Sequence, residues 1–368
     1  MEDFKYLAIV EWVKKVIADE QLPAGKRFYS ENELCDIHGV SRQTVRQALA
    51  MLESQNVLWR RRGSGTFVKG SGYNASVPSN VCNVGVISTY FSDYIFPSIV
   101  TGIERVLKSN SIGMQLSITH NQVGEESRAL EAMLAQNIGG LIVEPSKSAL
   151  PNPNLRLYEE IRSNRIPLVF FNAKYPWTDF SCVAMDDVAA GRIITDHLFD
   201  LGHTKIAAIF ASDDIQGHNR CRGFMESFEN HGIKQTEQNV IWYSTDEKKS
   251  LFTFSEKRIA DVLRSSTAVV CYNDSLAISL LDFCKKQNIS VPEELSVTGI
   301  DDSKLASVCD VPLTTVHHPH QLLGETAAQK LLDIINSPRN AGDDILIQPK
   351  LIKRRSAIKL SDMPVKQK

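Results

Sequence analysis

Arg42 and Arg46 stand four residues apart in VSRQTVRQAL (40–49), each followed by a glutamine, Gln43 and Gln47. At that spacing both guanidinium groups fall on one side of a helix. A guanidinium presents parallel donors that match the acceptor edge of guanine, and a glutamine amide matches adenine. The face is therefore equipped to read base edges in a major groove. No acid between Asp36 and Glu53 neutralises it in sequence. A few residues later, RRRGSGTF (60–67) sets Arg60, Arg61 and Arg62 beside Gly63 and Gly65. Glycines there let backbone approach a phosphate or a minor groove closely.

A second set of polar groups is spread over the rest of the chain. Glu144 and Lys147 follow GLIV, Asn172 follows LVFF, and Asp186-Asp187 precede a helical segment. Arg220 lies in NRCRGF, Asn273-Asp274 end AVVCYND, Asp301-Asp302 end TGIDD, and His317-His318 lie in TTVHHP. Such a mixture supplies donors and acceptors to hydroxyls, and a ring such as Tyr94 or Phe96 can stack on a C–H face. It suits a neutral polyhydroxylated ligand. Arg220 is the one strong cation foreseen in this set, which disfavours a phosphorylated ligand. Each strand-end acid also has a simpler reading as a helix cap, and a lone histidine as a packing residue.

These groups need elements to hold them. Over residues 4–20 Leu7, Ile9, Val10, Val13, Val16 and Ile17 repeat at helical spacing. Ser30-Glu31-Asn32-Glu33 is a capping-box pattern, and Gly39 suits the left-handed stop of the helix it opens. Ser41 can cap the next helix, whose Val45, Ala48, Leu49 and Leu52 make an apolar stripe opposite Arg42 and Arg46. Asn56 is expected to end it. Two short strands around Gly63-Ser64-Gly65 then form a basic wing. A tight turn between two helices followed by such a wing is a winged helix-turn-helix.

Residues 71–81, SGYNASVPSNV, read as a linker. Beyond it, strand-sized apolar runs at 84–89, 114–119, 140–145, 167–172, 205–210, 240–245, 268–273 and 295–300 alternate with helical segments such as 97–110 and 275–288. That alternation predicts an α/β fold with parallel sheets covered on both faces, in two lobes. Polar residues at strand ends then lie where open parallel sheets bind ligands. The expected organisation is a head at 1–70, the linker, a body at 82–360 and a short tail at 361–368.

At 368 residues and 43% hydrophobic content the chain has the composition of a soluble protein of two or three domains. Residues 1–70 carry eleven Lys/Arg against nine Asp/Glu, and within them the acids cluster before the arginines. The opening MEDFKYLAIVEWVKK is charged where a signal peptide would be apolar, so a cytoplasmic protein is expected. Seven scattered cysteines lack metal-ligand spacing, and GxxxxGK[ST], GxSxG and HExxH are absent. No metal, cofactor or enzymatic activity is expected.

The motifs LPAGKRFYSENEL, VSRQTVRQALAMLE and RRRGSGTFV resemble the winged-helix domains of GntR-type bacterial regulators. The resemblance implies DNA contacts at Glu31, Ser41, Arg42, Thr44, Arg46, Arg62 and Gly65, beside Gln43, Arg61 and Gly63 from the residues themselves. MDDVAAGRIITDHLFDLGHTKIAAIF, NRCRGF, CYNDSLAISLLDFCKKQNISVPEELSVTGIDDSKLA and LTTVHHPHQLLGETAAQKLL are similar to the effector domain of LacI/GalR-type repressors. This second resemblance implies a periplasmic-binding-protein-like body whose inter-lobe cleft is lined by Asp186 or Asp187, Arg220, Asn273, Asp301 and His318. A GntR-type head on such a body resembles the arabinose-responsive repressors of some bacteria. It implies L-arabinose as effector, with Tyr94, Glu144 and Lys147 as added contacts, operator DNA as partner and a homodimer as the acting form. A different pentose, a hexose or a nucleoside stays open as effector, as does a sugar-binding protein without DNA activity.

Overall fold

The computed structural model describes residues 5–19, 26, 28–54, 57–61, 65–68, 83–91, 95–136, 138–234, 239–337 and 341–363. The chain divides into two compact units, Met1–Val77 and Pro78–Lys368. The expected linker 71–81, Asn56 and the tail residues 364–368 lie outside the described residues.

In the first unit α1 (Lys5–Asp19), α2 (Glu31–His38) and α3 (Arg42–Ser54) precede β1 (Leu58–Arg61) and β2 (Gly65–Val68). The capping box forms: the Glu33 amide donates to Ser30 Oγ, and the Ser30 amide donates to the Glu33 carboxylate at 2.7 Å. Gly39 stops α2 at φ 61°, a conformation only glycine adopts without strain. Ser41 caps α3 by accepting from the Thr44 amide at 3.3 Å. Val45, Ala48, Leu49 and Leu52 are wholly buried against Ile9, Val13 and Leu34. The antiparallel β1–β2 ribbon pairs Arg61 with Gly65, and the Phe28 amide donates to Thr66 O at 2.8 Å.

The second unit begins with β3 (Asn83–Ser88), α4 (Phe96–Ser109), β4 (Gly113–Ile118), α5 (Val123–Leu134), β5 (Leu141–Val143), α6 (Leu155–Ser163), β6 (Leu168–Phe171) and β7 (Ser181–Met185). Next come α7 (Asp187–Asp200), β8 (Ile206–Ala211), α8 (Ile215–Asn230), β9 (Val240–Tyr243), α9 (Leu251–Phe254), α10 (Glu256–Ser265), β10 (Ala268–Cys271), α11 (Asp274–Lys286), β11 (Ser296–Thr298), α12 (Lys304–Val308) and β12 (Thr315–His317). The chain closes with α13 (His320–Asn336), β13 (Ile345–Ile347), β14 (Lys350–Ile352) and a 3-10 turn at Leu360–Asp362. That turn is anchored by the Leu360 amide on Leu201 O at 2.9 Å.

Two parallel sheets make two lobes. Lobe 1 has the order β13-β7-β6-β5-β3-β4, and lobe 2 the order β11-β10-β8-β9 with the antiparallel pair β12–β14 at its side. β5, β6, β8 and β10 are apolar and buried along their whole length because helices cover both faces. The chain crosses between lobes three times, at 185–187, 317–320 and 347–350. One helix pair in each lobe packs backbone against backbone, α4 with α13 and α7 with α8. A Cβ at Gly324 would lie 2.1 Å from Ile99 O, and one at Gly191 would lie 2.0 Å from Arg220 O. All eight strand-like runs read from the sequence form strands. β7, β12, β13 and β14 were not foreseen.

Candidate functional site

In the first unit α3 shows Arg42, Gln43, Arg46 and Gln47 to solvent, with Ser41 exposed and Thr44 half-buried at its start. Ser41 Oγ and Thr44 Oγ1 lie 2.9 Å apart, so both hydroxyls are engaged at the helix N-terminus. The face is not free of acid. Glu31, from the start of α2, accepts from Arg46 Nε at 3.0 Å. The pair spans fifteen residues of sequence, so only the packing of α2 on α3 reveals it. Arg46 remains 65% exposed; such a pair is worth at most about 1 kcal/mol and can yield to a phosphate or a base. Arg62 and Gly63 lie outside the described residues, as do the side chain of Arg61 and the surroundings of Gly65.

Within the second unit a cavity of about 910 Å³ opens between the lobes. Many of its lining residues follow the C-terminal ends of strands, as expected for open parallel sheets, and α9, α10 and α11 of lobe 2 extend it. Of the residues read from the sequence, Glu144, Asn172, Arg220, Asn273, Asp301 and His318 line it, and so does Phe96. Tyr94 lies outside the described residues.

Three expected contacts are placed differently, each for a physical reason. Asp186 serves as N-cap of α7, accepting from the Ala189 amide at 2.9 Å. Asp187, one position on, turns behind Arg220: Arg220 Nε donates to its Oδ1 at 2.7 Å and Gln216 Nε2 to its Oδ2 at 3.2 Å. Lys147 adopts φ 46° and reaches across to Asp246 of lobe 2 at 2.7 Å. None of the three is among the cavity-lining residues.

Arg220 is the centre of lobe 2's wall. It is 2% exposed, held by Asp187, by Asp301 at 3.6 Å and by Tyr272 O at 2.7 Å, with its guanidinium 4.7 Å from the centroid of the Tyr272 ring. Burial pulls its pKa down, but the two carboxylates outweigh this and hold it above the ordinary arginine value. Opposite, in lobe 1, Glu144 accepts from the Thr89 amide at 2.8 Å, Thr89 Oγ1 at 2.6 Å, Ser88 Oγ at 3.2 Å and Asn172 Nδ2 at 2.6 Å. Burial raises its pKa while these donors oppose the rise.

Two side chains line the cavity with capacity to spare. His318 is 1% exposed, and neither ring nitrogen has a protein partner among the described residues; Asn172 Oδ1 likewise has none. Burial, with His320 and Arg220 nearby, lowers the His318 pKa well below the usual value. A neutral imidazole offers one donor and one acceptor, the complement of a hydroxyl group. Sequence reading missed Thr89, Tyr90, Asp214, Gln216 and Tyr272, which also line the cavity. Thr89, Tyr90, Asp214 and Tyr272 lie shortly after a strand, and Gln216 lies in the first turn of α8. Sequence reading also missed Lys248, Lys249 and Lys286, which corrects the expectation that no second strong cation lies near the cleft. Glu144, Asp214, Glu256, Asp282 and Asp301 balance them along the same lining.

Comparisons with known proteins agree with both units. Residues 5–68 match the model of the bacterial regulatory proteins of the gntR family, and residues 195–357 that of the periplasmic binding protein-like domain. The chain is 39% identical over 361 residues to the arabinose metabolism transcriptional repressor of Halalkalibacterium halodurans, covering 96% of both chains. It is 38% identical over 356 residues to that of Geobacillus stearothermophilus, covering 96% of this chain and 97% of the relative. The crystal structure of the transcription regulator CcpA of Lactococcus lactis superposes with a TM-score of 0.66 at 24% identity, over 75% of this chain and 99% of that one, and supports the fold. These relatives are regulators rather than enzymes. With a gntR-type reading face and an effector cleft on one chain, matched end to end by repressors, the protein belongs to the family of the arabinose metabolism transcriptional repressors and is a sugar-responsive, DNA-binding repressor.

Proposed function

We propose that the effector is L-arabinose and that its binding releases an operator read by the α3 face. The names of the two full-length relatives support the sugar. The observation that carries a polyhydroxylated ligand is His318: a buried imidazole on the cavity wall with both nitrogens unpartnered among the described residues. An unmet buried donor or acceptor costs about 1–3 kcal/mol, which a ligand hydroxyl recovers. Arg220, Asn172, Asn273, Asp301 and Glu144 supply further hydrogen bonds, and Phe96 or Tyr90 a ring for the sugar's C–H face. Asp186, Asp187 and Lys147 act from behind this layer.

On DNA, Arg42, Gln43 and Arg46 address base edges. Ser41, Thr44 and Glu31 orient the helix, and Arg61, Arg62, Gly63 and Gly65 bring the wing to the backbone. A homodimer in the cytoplasm fits a two-fold operator, because one such head reads only a short half-site. The test uses the full chain and DNA selected by it from a random pool. L-arabinose is expected to release that DNA at lower concentration than other pentoses, hexoses or nucleosides. Arg46→Ala should weaken DNA binding by at least the ~1–3 kcal/mol of a bidentate contact while sugar affinity holds. Release by another sugar at lower concentration overturns the arabinose reading, and undiminished DNA binding by Arg46→Ala overturns the reading face.

A further inference from the structure

The lobes are joined at the cleft by contacts of unequal character. Lys147 Nζ meets Asp246 Oδ2 at 2.7 Å, but Asp246 is 73% exposed, so water and salt leave that pair little weight. Asn121 Nδ2 donates to Thr245 Oγ1 at 2.7 Å. The third contact joins a buried serine to a half-buried aspartate. Ser148, 2% exposed, comes from lobe 1; its hydroxyl donates to Asp214 Oδ1 of lobe 2 at 2.8 Å and accepts from the Ile215 amide at 3.0 Å. The adjacent Ala149 amide donates to Asp213 O at 3.3 Å.

Asp214 does more than receive Ser148. Its Oδ1 also accepts from the Gln216 amide at 3.1 Å, and its Oδ2 accepts the phenol proton of Tyr272. Tyr272 in turn places its ring against the Arg220 guanidinium and its carbonyl on Arg220 Nη1. One carboxylate thus touches the opposing lobe on one oxygen and the effector wall on the other. Ser148 arrives on a braced loop. The buried carboxylate of Glu126 accepts from the Ser146 amide at 2.6 Å, Asn152 Nδ2 at 3.1 Å, Tyr158 OH at 3.0 Å and Tyr175 OH at 2.8 Å. A loop held by this many charge-assisted bonds moves with its lobe as a body.

We propose that Asp214 is a positioning residue that couples lobe closure to the Arg220–Tyr272 wall, with Ser148 as the latch that docks on it when the lobes meet. The consequence for sugar affinity rests on the cleft being the effector site; the latch itself does not. Ser148 is not among the cavity-lining residues, so Ser148→Ala alters closure without removing an effector contact. Hydrogen exchange of the full chain without sugar is the direct test. In Ser148→Ala the amides of 213–216 and of Tyr272 should exchange about tenfold faster, the size expected for a lost bond to a charged acceptor, and Ser148→Thr should restore them. L-arabinose should dissociate about tenfold faster from Ser148→Ala with an unchanged association rate. In the Asp214→Asn background Ser148→Ala should add little, since the acceptor it serves is already altered.

Unchanged exchange at 213–216 overturns the latch, and faster exchange there without a change at Tyr272 overturns the coupling. If the wild-type chain binds no arabinose, the effector reading fails while the exchange result still decides the latch. Additive effects of the two substitutions overturn the assignment of Ser148 and Asp214 to one unit.

Discussion

Asp274 shows how a single side chain can look like a ligand contact and serve another purpose. It opens α11, is fully buried, and accepts from the Ser303 amide at 2.8 Å and from Thr315 Oγ1 at 2.6 Å. Burial, reinforced by the Asp301 carboxylate, pushes its pKa up to about 7. The unfolded chain releases this proton near pH ~4, so between about pH 4 and 7 the native state holds more of it. Stability from this group is full below that window and falls as pH rises through it, by at most about 1.4 kcal/mol per pH unit. Asp274→Asn removes the titration. The wild type should lose stability relative to the variant between about pH 4.5 and 7.5 in denaturant titrations, and parallel curves would refute the assignment. At this scale the sequence was legible in kind but not in orientation. It marked the strand-end pairs 186–187 and 273–274. Which member faces the cleft depends on where each helix starts: Asn273 both caps α11 through the Leu276 amide and lines the cavity, while Asp187 turns behind Arg220. The Arg46–Glu31 pair was hidden for a similar reason, since it exists only once α2 packs on α3.

Among the elements, the two glycine-mediated helix pairs make the sharpest demand. Neither site has room for a methyl group, because each faces a backbone carbonyl rather than a flexible side chain. Gly324→Ala should destabilise the chain by about 1–3 kcal/mol, the usual cost of overpacking, with effector affinity retained. Gly191→Ala meets Arg220 O itself, so it should cost similar stability and also weaken effector binding. Chemical denaturation and calorimetry separate the two, and a shared loss of affinity would contradict the distinction. Eight strands were readable because each falls in a strand-sized, mainly apolar run between helical segments, even the edge strand β4, which has no buried residue. β7 was missed because SCVAM begins with a serine and a cysteine whose burial comes only from β6 and β13 on either side. β12 is only three residues long, and β13 and β14 are as short and only partly buried. β5 and β11 are equally short but lie within the strand–helix alternation, whereas β12, β13 and β14 flank the crossings at 317–320 and 347–350, where that alternation has ended. The eight-residue α2, by contrast, was fixed at both ends by its caps.

For the molecule as a whole, regulation requires that sugar and operator affect each other's affinity. Thermodynamic linkage makes the effect reciprocal: whatever factor the sugar takes from operator affinity, the operator takes from sugar affinity, with about 5–150-fold typical of such systems. Calorimetric titration of L-arabinose into the protein with and without saturating operator should show that difference, and equal affinities would exclude the mechanism. The two-unit organisation was visible in sequence as a change from helical spacing to strand–helix alternation. The assignment of strands to lobes was not, because the chain leaves lobe 1 after β7 and comes back only with α13. That itinerary has a consequence for biosynthesis. As the polypeptide emerges from the ribosome, the four-stranded sheet of lobe 2 is available as one uninterrupted stretch, whereas lobe 1 still lacks the helix that covers α4 and the strand that borders β7. The earlier-made sheet is therefore the later-finished one. Until residues 320–347 are translated, the apolar flank of α4 stays uncovered, and a nascent chain halted there is the form most in need of a chaperone.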